Sequence, residues 1–290
     1  MGIKVAVHGK PFDKDEIPKI ESFFTKLESC NFEPYLSPKF HRICDEMGLK
    51  NSSLKVYTDL EQMKFAFSFG GDGTLLELLT HIGCFEVPII GVNMGRLGFL
   101  ATTSMEEVNN AVDALCKKEY EIDERILLQL VSDYPTFKEK NFALNDFAIL
   151  KRDSSSMIKV KVLLDGAYLN TYWADGLIVS TPTGSTGYSL SCGGPLVLPQ
   201  SDNFVITPVS PHNLNARPLV LSDHSEIAFE IESRSDNVLI SLDSRSMSVP
   251  TNIEIKIKKY HKSGKLIKFK NYNQLDTMRN KLNWGVDYRN

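Results

Sequence analysis

The sequence predicts an α/β domain followed by an all-β, sandwich-like domain. Three observations carry this. In the first hundred residues, apolar strand-like runs alternate with segments of helical spacing. Beyond about residue 120 the apolar residues fall at every second position. After Asn271 helical spacing returns, around 275–282. The expected boundaries are 1–100 for the α/β domain, 101–270 for the β domain, and 271–290 for a tail that packs back on the first.

The elements follow in order. Ile3, Val5 and Val7 mark a first strand over 3–8. Ile17, Ile20, Phe23, Phe24 and Leu27 then fall on one helical face, after acidic Asp13, Asp15 and Glu16. The apolar run 65–69 reads as a buried strand, the leucine-rich stretch after Thr74 as a helix, and 87–92 as another buried strand. Such alternation implies a mainly parallel sheet. Ser104 and Glu107 have the spacing of a capping box before Val108, Ala111, Val112 and Leu115. That helix closes the first domain or bridges to the second. Period-two runs follow at Val160, Val162 and Leu164, at Ile227, Phe229 and Ile231, at Val238, Ile240 and Leu242, and at Ile253, Ile255 and Ile257. Asp165-Gly166 reads as a hairpin turn.

Composition narrows the function classes. The chain of 290 residues is 42% hydrophobic and 24% charged, with a net charge of −3, which fits a soluble globular protein. Acids and bases are mixed, so there is no electrostatic reason to expect nucleic acid or a membrane as partner. Lysines 256, 258, 259, 262 and 265 alternate with Ile255 and Ile257, as on the outer face of a strand. The five cysteines form no CxxC pair, which argues against a disulfide framework or a zinc site and suits the cytoplasm. The N-terminus reads as a strand, not a signal peptide, and no apolar run is long enough to span a bilayer.

Five stretches look chemical. Gly70-Gly71-Asp72-Gly73-Thr74 lies between a strand and a helix. Glycines admit a phosphate close to the backbone, and the helix N-terminus supplies N–H groups and a positive dipole end. A carboxylate there repels phosphate but suits a base acting on a neighbouring hydroxyl. Asn93-Met94-Gly95-Arg96-Leu97-Gly98-Phe99-Leu100 follows a buried strand; an ordinary βα loop has the same look. Asn145-Asp146 sits inside an apolar run over 142–150 and suits ribose hydroxyls, or merely a bulge. The stretch from Asp175 to Ser191 holds seven Ser or Thr with Gly and Pro, a set of hydroxyls suited to a sugar or diphosphate. His212 and Arg217 lie in a Pro-rich segment, where His212 also reads as a structural histidine. Walker, HExxH, GxSxG and EF-hand motifs are absent, as are HRD and DFG.

In this order and spacing the segments resemble the NAD kinase family, from Gly70 to about Asp243. The most specific part is 180–195, then 211–218. The glycine turn is less specific, because diacylglycerol and sphingosine kinases and phosphofructokinases have similar turns. Three departures stand out: Asp146 where Glu is common, Gly187 in place of Ala, and Ser244 where many members have Gly.

The resemblance implies a Rossmann-like α/β domain and a β-sandwich-like domain with NAD between them. It implies transfer of the ATP γ-phosphoryl group to the 2′-hydroxyl of the adenosine ribose of NAD, giving NADP. It makes Asp72 the base and a substrate-binding residue. Gly71, Gly73, Thr74, Asn93, Gly95 and Phe99 would bind ATP with Mg²⁺. Gly73, Asn145, Asp146, Asp175, Thr183, Thr186, Gly187, Tyr188, Ser189, Leu190 and Ser191 would bind NAD. No protein metal cage is expected, since Mg²⁺ keeps most of its waters. A homo-oligomer, a tetramer, is implied as well. A lipid kinase of the diacylglycerol type is the alternative enzyme, and a non-catalytic NAD sensor the alternative from another class.

Overall fold

In the computed structural model, residues 2–49, 54–95, 97–152, 156–270 and 273–284 are described. The first unit holds β1 (Ile3–Gly9), α1 (Ile17–Ser29), β2 (Phe32–Leu36), α2 (Pro38–Glu46), β3 (Lys55–Val56), β4 (Phe65–Gly70), α3 (Asp72–Ile82), β5 (Ile89–Asn93), β6 (Thr103–Ser104) and α4 (Val108–Lys117). Its strands run parallel in the order β5-β4-β1-β2-β3, as the strand–helix alternation demands. Ile20, Phe23, Phe24 and Leu27 of α1 bury one helical face in a core with Val5, Val7, Phe65, Phe67 and Phe69. Val108, Val112 and Leu115 of α4 enter the same core. On the other face α3 covers the sheet, with Leu75 close to Gly91.

Two local expectations need correction. The helix after the glycine turn begins at Asp72, not beyond Thr74, so Asp72 is its first residue. The Ser104–Glu107 box does not cap a helix. Ser104 Oγ donates to Glu107 Oε2 at 3.0 Å, but Glu107 itself is the N-cap of α4 and its side chain makes no capping bond.

The second unit contains β7 (Tyr120–Ser132, mostly), β8 (Phe142–Ala143), β9 (Asp146–Leu150), β10 (Ile158–Leu164), β11 (Ala167–Ala174), β12 (Gly176–Ser180), the single turn α5 (Tyr188–Ser191), β13 (Asn203–Val209), β14 (Leu219–Ser222), β15 (Ile227–Glu232), β16 (Asn237–Leu242) and β17 (Arg245–Pro250). The run over 142–150 is thus two strands, broken at 144–145. An antiparallel sheet has the order β14-β13-β12-β9-β16-β17. β18 (Ile255–Phe269) pairs with β15 through 255–257, and β15 with β10 and β10 with β11, all antiparallel. Alternate residues of both layers fill one core; Phe147 of β9 meets Phe229 of β15 at 5.8 Å between ring centroids. This is the sandwich that the period-two runs predict. Asp165 and Gly166 both have positive φ, 50° and 82°, as a tight hairpin between β10 and β11 requires.

The compact units are Met1–Asp123 with Lys265–Asn290, and Glu124–Gly264. The first stretch runs past the expected boundary at residue 100, to near the change of rhythm at about 120, because α4 belongs to the α1 core. The end of β18 and α6 (Gln274–Leu282) fall in the first unit, where Leu266 pairs with Ile89 and Lys281 lies over the Phe99 ring.

Candidate functional site

In the first unit the chain goes from β1 to β2 on one side and returns as β4 on the other. The carboxyl ends of strands beside such a reversal are where open α/β sheets bind ligands. β4 ends there on Gly70, and Gly71 is the N-cap of α3 with no side-chain cap. A Cβ built on Gly71 or Gly73 would meet nothing within 4 Å, so the first turn of α3 opens on free space. Thr74 and Leu75 N–H donate back to Gly71 O at 3.0 and 3.3 Å, which leaves the Asp72 and Gly73 amides ahead of them as the ones suited to an anion.

The half-buried Asp72 side chain is fixed by a backbone clamp. Phe99 N–H donates to Oδ2 at 2.9 Å; Leu100 and Ala101 N–H donate to Oδ1 at 3.0 and 2.9 Å. The loop approaches this closely because residue 98 is glycine, where a Cβ would lie 2.0 Å from Oδ1. A carboxylate has about four acceptor positions. Three are taken here, and the one left is on Oδ2. The loop is itself held: Asn93 Oδ1 accepts from Gly95 N–H at 2.7 Å, and Asn93 pairs with Gly70 across the sheet. Gly71, Asp72, Gly73, the buried Thr74, Asn93, Gly95 and Phe99 are thereby collected at the ends of β4 and β5. Asn93 and Gly95 line a cavity of about 230 Å³ with Glu16 and Leu97. Arg96 lies outside the described residues.

The second unit has a like clamp. Asp243, at φ 52° in the turn between β16 and β17, accepts N–H bonds from Leu144 (3.1 Å), Asn145 (2.7 Å) and Asp146 (3.3 Å). Its own N–H donates to Asp146 O at 2.9 Å. Burial pushes the Asp243 carboxyl above the usual carboxylate range, while the three amides and Arg245 pull it down. Asp146 is buried beside it. Burial first, and the Asp243 charge second, raise Asp146 to about 7.

Around this pair lie the other expected residues. Gly187 is a neighbour of Asp146 Oδ2. Tyr188 feels the charges of both Asp146 and Asp175, and burial raises its hydroxyl above the ordinary tyrosine value. Asp175 forms an ion pair with Lys151 at 2.6 Å. The turn can press against Asn145 because residue 184 is glycine: a Cβ there would lie 2.0 Å from Asn145 O.

The hydroxyls of this stretch divide into two groups. Thr181 Oγ1 donates to Leu144 O at 2.5 Å, Ser185 Oγ to Pro182 O at 2.7 Å, and Thr186 Oγ1 to Thr183 O at 3.2 Å. Thr183 Oγ1 accepts from buried Arg125 at 3.0 Å, and Ser189 Oγ meets Thr207 Oγ1 at 2.8 Å with both fully buried. These bonds build the turn. Tyr188 and Ser191 are exposed, and Thr186, Gly187 and Leu190 half-buried. His212 is exposed, with its backbone N–H bonded to Trp173 O, so it is not a buried structural histidine; Arg217 bonds carbonyls of its own loop.

Residues 45–120 match the ATP-NAD kinase N-terminal domain, and residues 144–269 the ATP-NAD kinase C-terminal domain. The NAD kinase of Cytophaga hutchinsonii is 50% identical over 98% of this chain and 99% of its own length. The chain belongs to the NAD kinase family. The Flavobacterium psychrophilum NAD kinase is 42% identical over 99% of this chain and all of its own. An Archaeoglobus fulgidus NAD kinase, solved with ATP, superposes at a TM-score of 0.75 with 28% identity, covering 97% of this chain and 99% of that one. Yeast NADH kinase, solved with NADH, superposes at 0.85 with 24% identity over 99% of this chain and 89% of that one, a likeness of fold. Both carboxylate clamps fall within the segments that match the NAD kinase domains.

Sequence reasoning missed the groups that hold the expected residues in place: the 99–101 amides on Asp72, the Asp243 grip, Arg125 on Thr183 and Lys151 on Asp175. Only Asp243 had a readable signal, a polar turn residue between two period-two strands.

Proposed function

We propose that this chain transfers the γ-phosphoryl group of ATP to the 2′-hydroxyl of the adenosine ribose of NAD, giving NADP. The observation that carries this is the 50% identity to an NAD kinase over nearly the whole chain. Asp72, with one Oδ2 acceptor position open beside a helix N-terminus, is the base that takes the hydroxyl proton. The first turn of α3, with Gly71, Gly73 and Thr74, and the loop through Asn93, Gly95 and Phe99 hold the triphosphate. Phosphoryl transfer asks mainly for placement and neutralisation of charge. Mg²⁺ enters as the ATP complex, and among the described residues no cluster of His, Cys, Asp or Glu forms a cage for it.

Asn145 and Asp146 take the ribose hydroxyls. Asp175, Thr186, Gly187, Tyr188, Leu190 and Ser191 line the dinucleotide, while Thr183 and Ser189 act from within the turn. The comparisons give the lipid kinase reading no support, and the intact Asp72 speaks against a mere sensor. We place the enzyme in the cytoplasm; no helix among the described residues is long and apolar enough to cross a membrane.

We also propose a tetramer. Supporting it, β11 and β14 are edge strands of the second unit with Tyr168, Trp173 and Val220 exposed. Light scattering is expected to give four chains per particle; a monomer at working concentration refutes it. The activity is tested by incubating purified protein with MgATP and NAD and following NADP with an NADP-specific dehydrogenase. Accumulation of NADP is expected, and its absence with protein that binds both nucleotides would refute the assignment.

A further inference from the structure

Two thiols of the first unit are brought together by the register of two helices. α1 and α4 run side by side in the same direction, joined once per turn. Lys19 Nζ lies 2.9 Å from Glu106, just before α4. Asn109 Nδ2 donates to Ser22 Oγ at 2.9 Å, and Lys26 Nζ lies 2.6 Å from Asp113. Along α1 the contacts advance by three or four residues, and along α4 by the same step, so the sequence separation stays at 87. One turn further on, α1 ends at its C-cap, Cys30, and α4 presents Cys116. The Cys30 thiol is thereby a side-chain neighbour of the Cys116 thiol. Cys116 is exposed and Cys30 half-buried, so solvent reaches the pair. The other described thiols differ. Cys44 is buried and burial pushes it up to about 12, and Cys192 lies in the second unit.

We propose that Cys30 and Cys116 form a reversible disulfide that staples α1 to α4 when the protein meets a hydroperoxide. Nothing in the NAD kinase reaction needs these residues, and the inference stands whether or not that reading of activity holds. In the first step the Cys30 sulfur attacks the peroxide. An S–O bond forms, the O–O bond breaks, two electrons pass from sulfur to oxygen, and one water leaves, giving a sulfenic acid. Cys116 then attacks the Cys30 sulfur. The S–S bond forms, the S–O bond breaks, and hydroxide leaves with the Cys116 proton as a second water. In sum, two thiols and one hydrogen peroxide give one disulfide and two waters. The balance is the same with the roles of the two thiols exchanged. Thiol reductants reverse the bond by exchange.

The consequence is a cross-link between helices far apart in sequence. Closing so long a loop removes much entropy from the unfolded chain. The midpoint for melting of the first unit is expected to rise on the order of 5–10 °C.

The test uses the full-length protein, reduced and then treated with a small excess of hydrogen peroxide. Expected are the loss of two of the five titratable thiols, a Cys30–Cys116 peptide on non-reduced mapping, a raised melting midpoint, and recovery of all five thiols with dithiothreitol. Cys30→Ser and Cys116→Ser should each abolish the linked peptide and the rise in melting, while melting like the reduced wild type before oxidation. Thiols that stay free, a disulfide between chains, sulfinic acid in place of the cross-link, or an equal rise in melting in the serine variants would each overturn the proposal. None of these readouts depends on turnover.

Discussion

Asp72 in the first unit and Asp243 in the second are held by the same device. Each carboxylate receives three successive backbone N–H groups, from residues 99–101 in one case and 144–146 in the other. Their surroundings separate them. Asp72 is half-buried, at the start of a helix whose first turn opens on free space, and its Oδ2 keeps an open acceptor position. Asp243 is half-buried too, but it sits in a strand-to-strand turn with its carboxyl desolvated, and its effect passes to its neighbours: it fixes the Asn145–Asp146 backbone and raises the Asp146 carboxyl. In the proposed reaction one clamp aims the base and the other aims the pair that takes the ribose, so the same local geometry would serve two different tasks.

The largest effect is expected where the clamped group is itself the base. Asp72→Asn keeps the size and the two bonds to Oδ1, sets its NH₂ against Phe99 N–H, and removes the proton acceptor, so kcat should fall about 10²–10⁴-fold, with the Kd for NAD changed by less than about twofold. Turnover near wild type would remove Asp72 from the chemistry. Asp243→Ala should act through structure. Three amides lose their acceptor, at about 1–3 kcal/mol for each group left unsatisfied. The melting midpoint should drop and KM for NAD should rise, with KM for ATP little changed. Equal losses for both nucleotides would show that Asp243 serves the whole fold and not the 144–146 segment.

A smaller effect belongs to Asp146, the group that Asp243 sets in place. Asp146→Ala leaves a ribose hydroxyl unpaired, costing about 1–3 kcal/mol, so KM for NAD should rise roughly 5–150-fold. Asp146→Glu should keep more activity, because it retains a charge-assisted acceptor. If the alanine variant weakens ATP use and spares NAD, the two nucleotides are assigned the wrong way round.

The smallest effect is a pH dependence. The folded Asp146 carboxyl titrates near 7, well above an unfolded aspartate. From about pH 4 to 7 the unfolded chain has released this proton while the folded chain still holds it. The contribution of Asp146 to stability is thus fully present below about pH 4 and is lost as pH rises through 7. Asp146→Asn should melt with a shallower decline between pH 5 and 8 than wild type. An unchanged slope would place the Asp146 titration elsewhere.

The sequence made the sandwich and the parallel sheet legible because side-chain period and burial are coupled in both. Val160 and Val162 face one core, and Phe65, Phe67 and Phe69 another. The glycine turn was legible as an open helix start, because Gly71 and Gly73 leave free space there, whereas the close approaches of Gly98 to Asp72 and Gly184 to Asn145 were not. The clamps were not legible, since their donors are backbone amides, which every residue has. Nor could the serine-rich stretch be sorted from sequence: Ser189 and Ser191 read alike, yet one is sealed against Thr207 and the other is exposed. Only the direction of the chain separates a hydroxyl that builds the turn from one that meets a ligand.

The central claim is that a phosphoryl group moves to the ribose of NAD with Asp72 taking the proton. The most direct measurement follows γ-labelled ATP with NAD and MgCl₂, and locates the label in the product by phosphorus NMR, for wild type and Asp72→Asn side by side. The account predicts label on the 2′-oxygen of the adenosine ribose with wild type, and the same product formed about 10²–10⁴-fold more slowly by the variant. Label at another position, or equal rates for the two proteins, would contradict it.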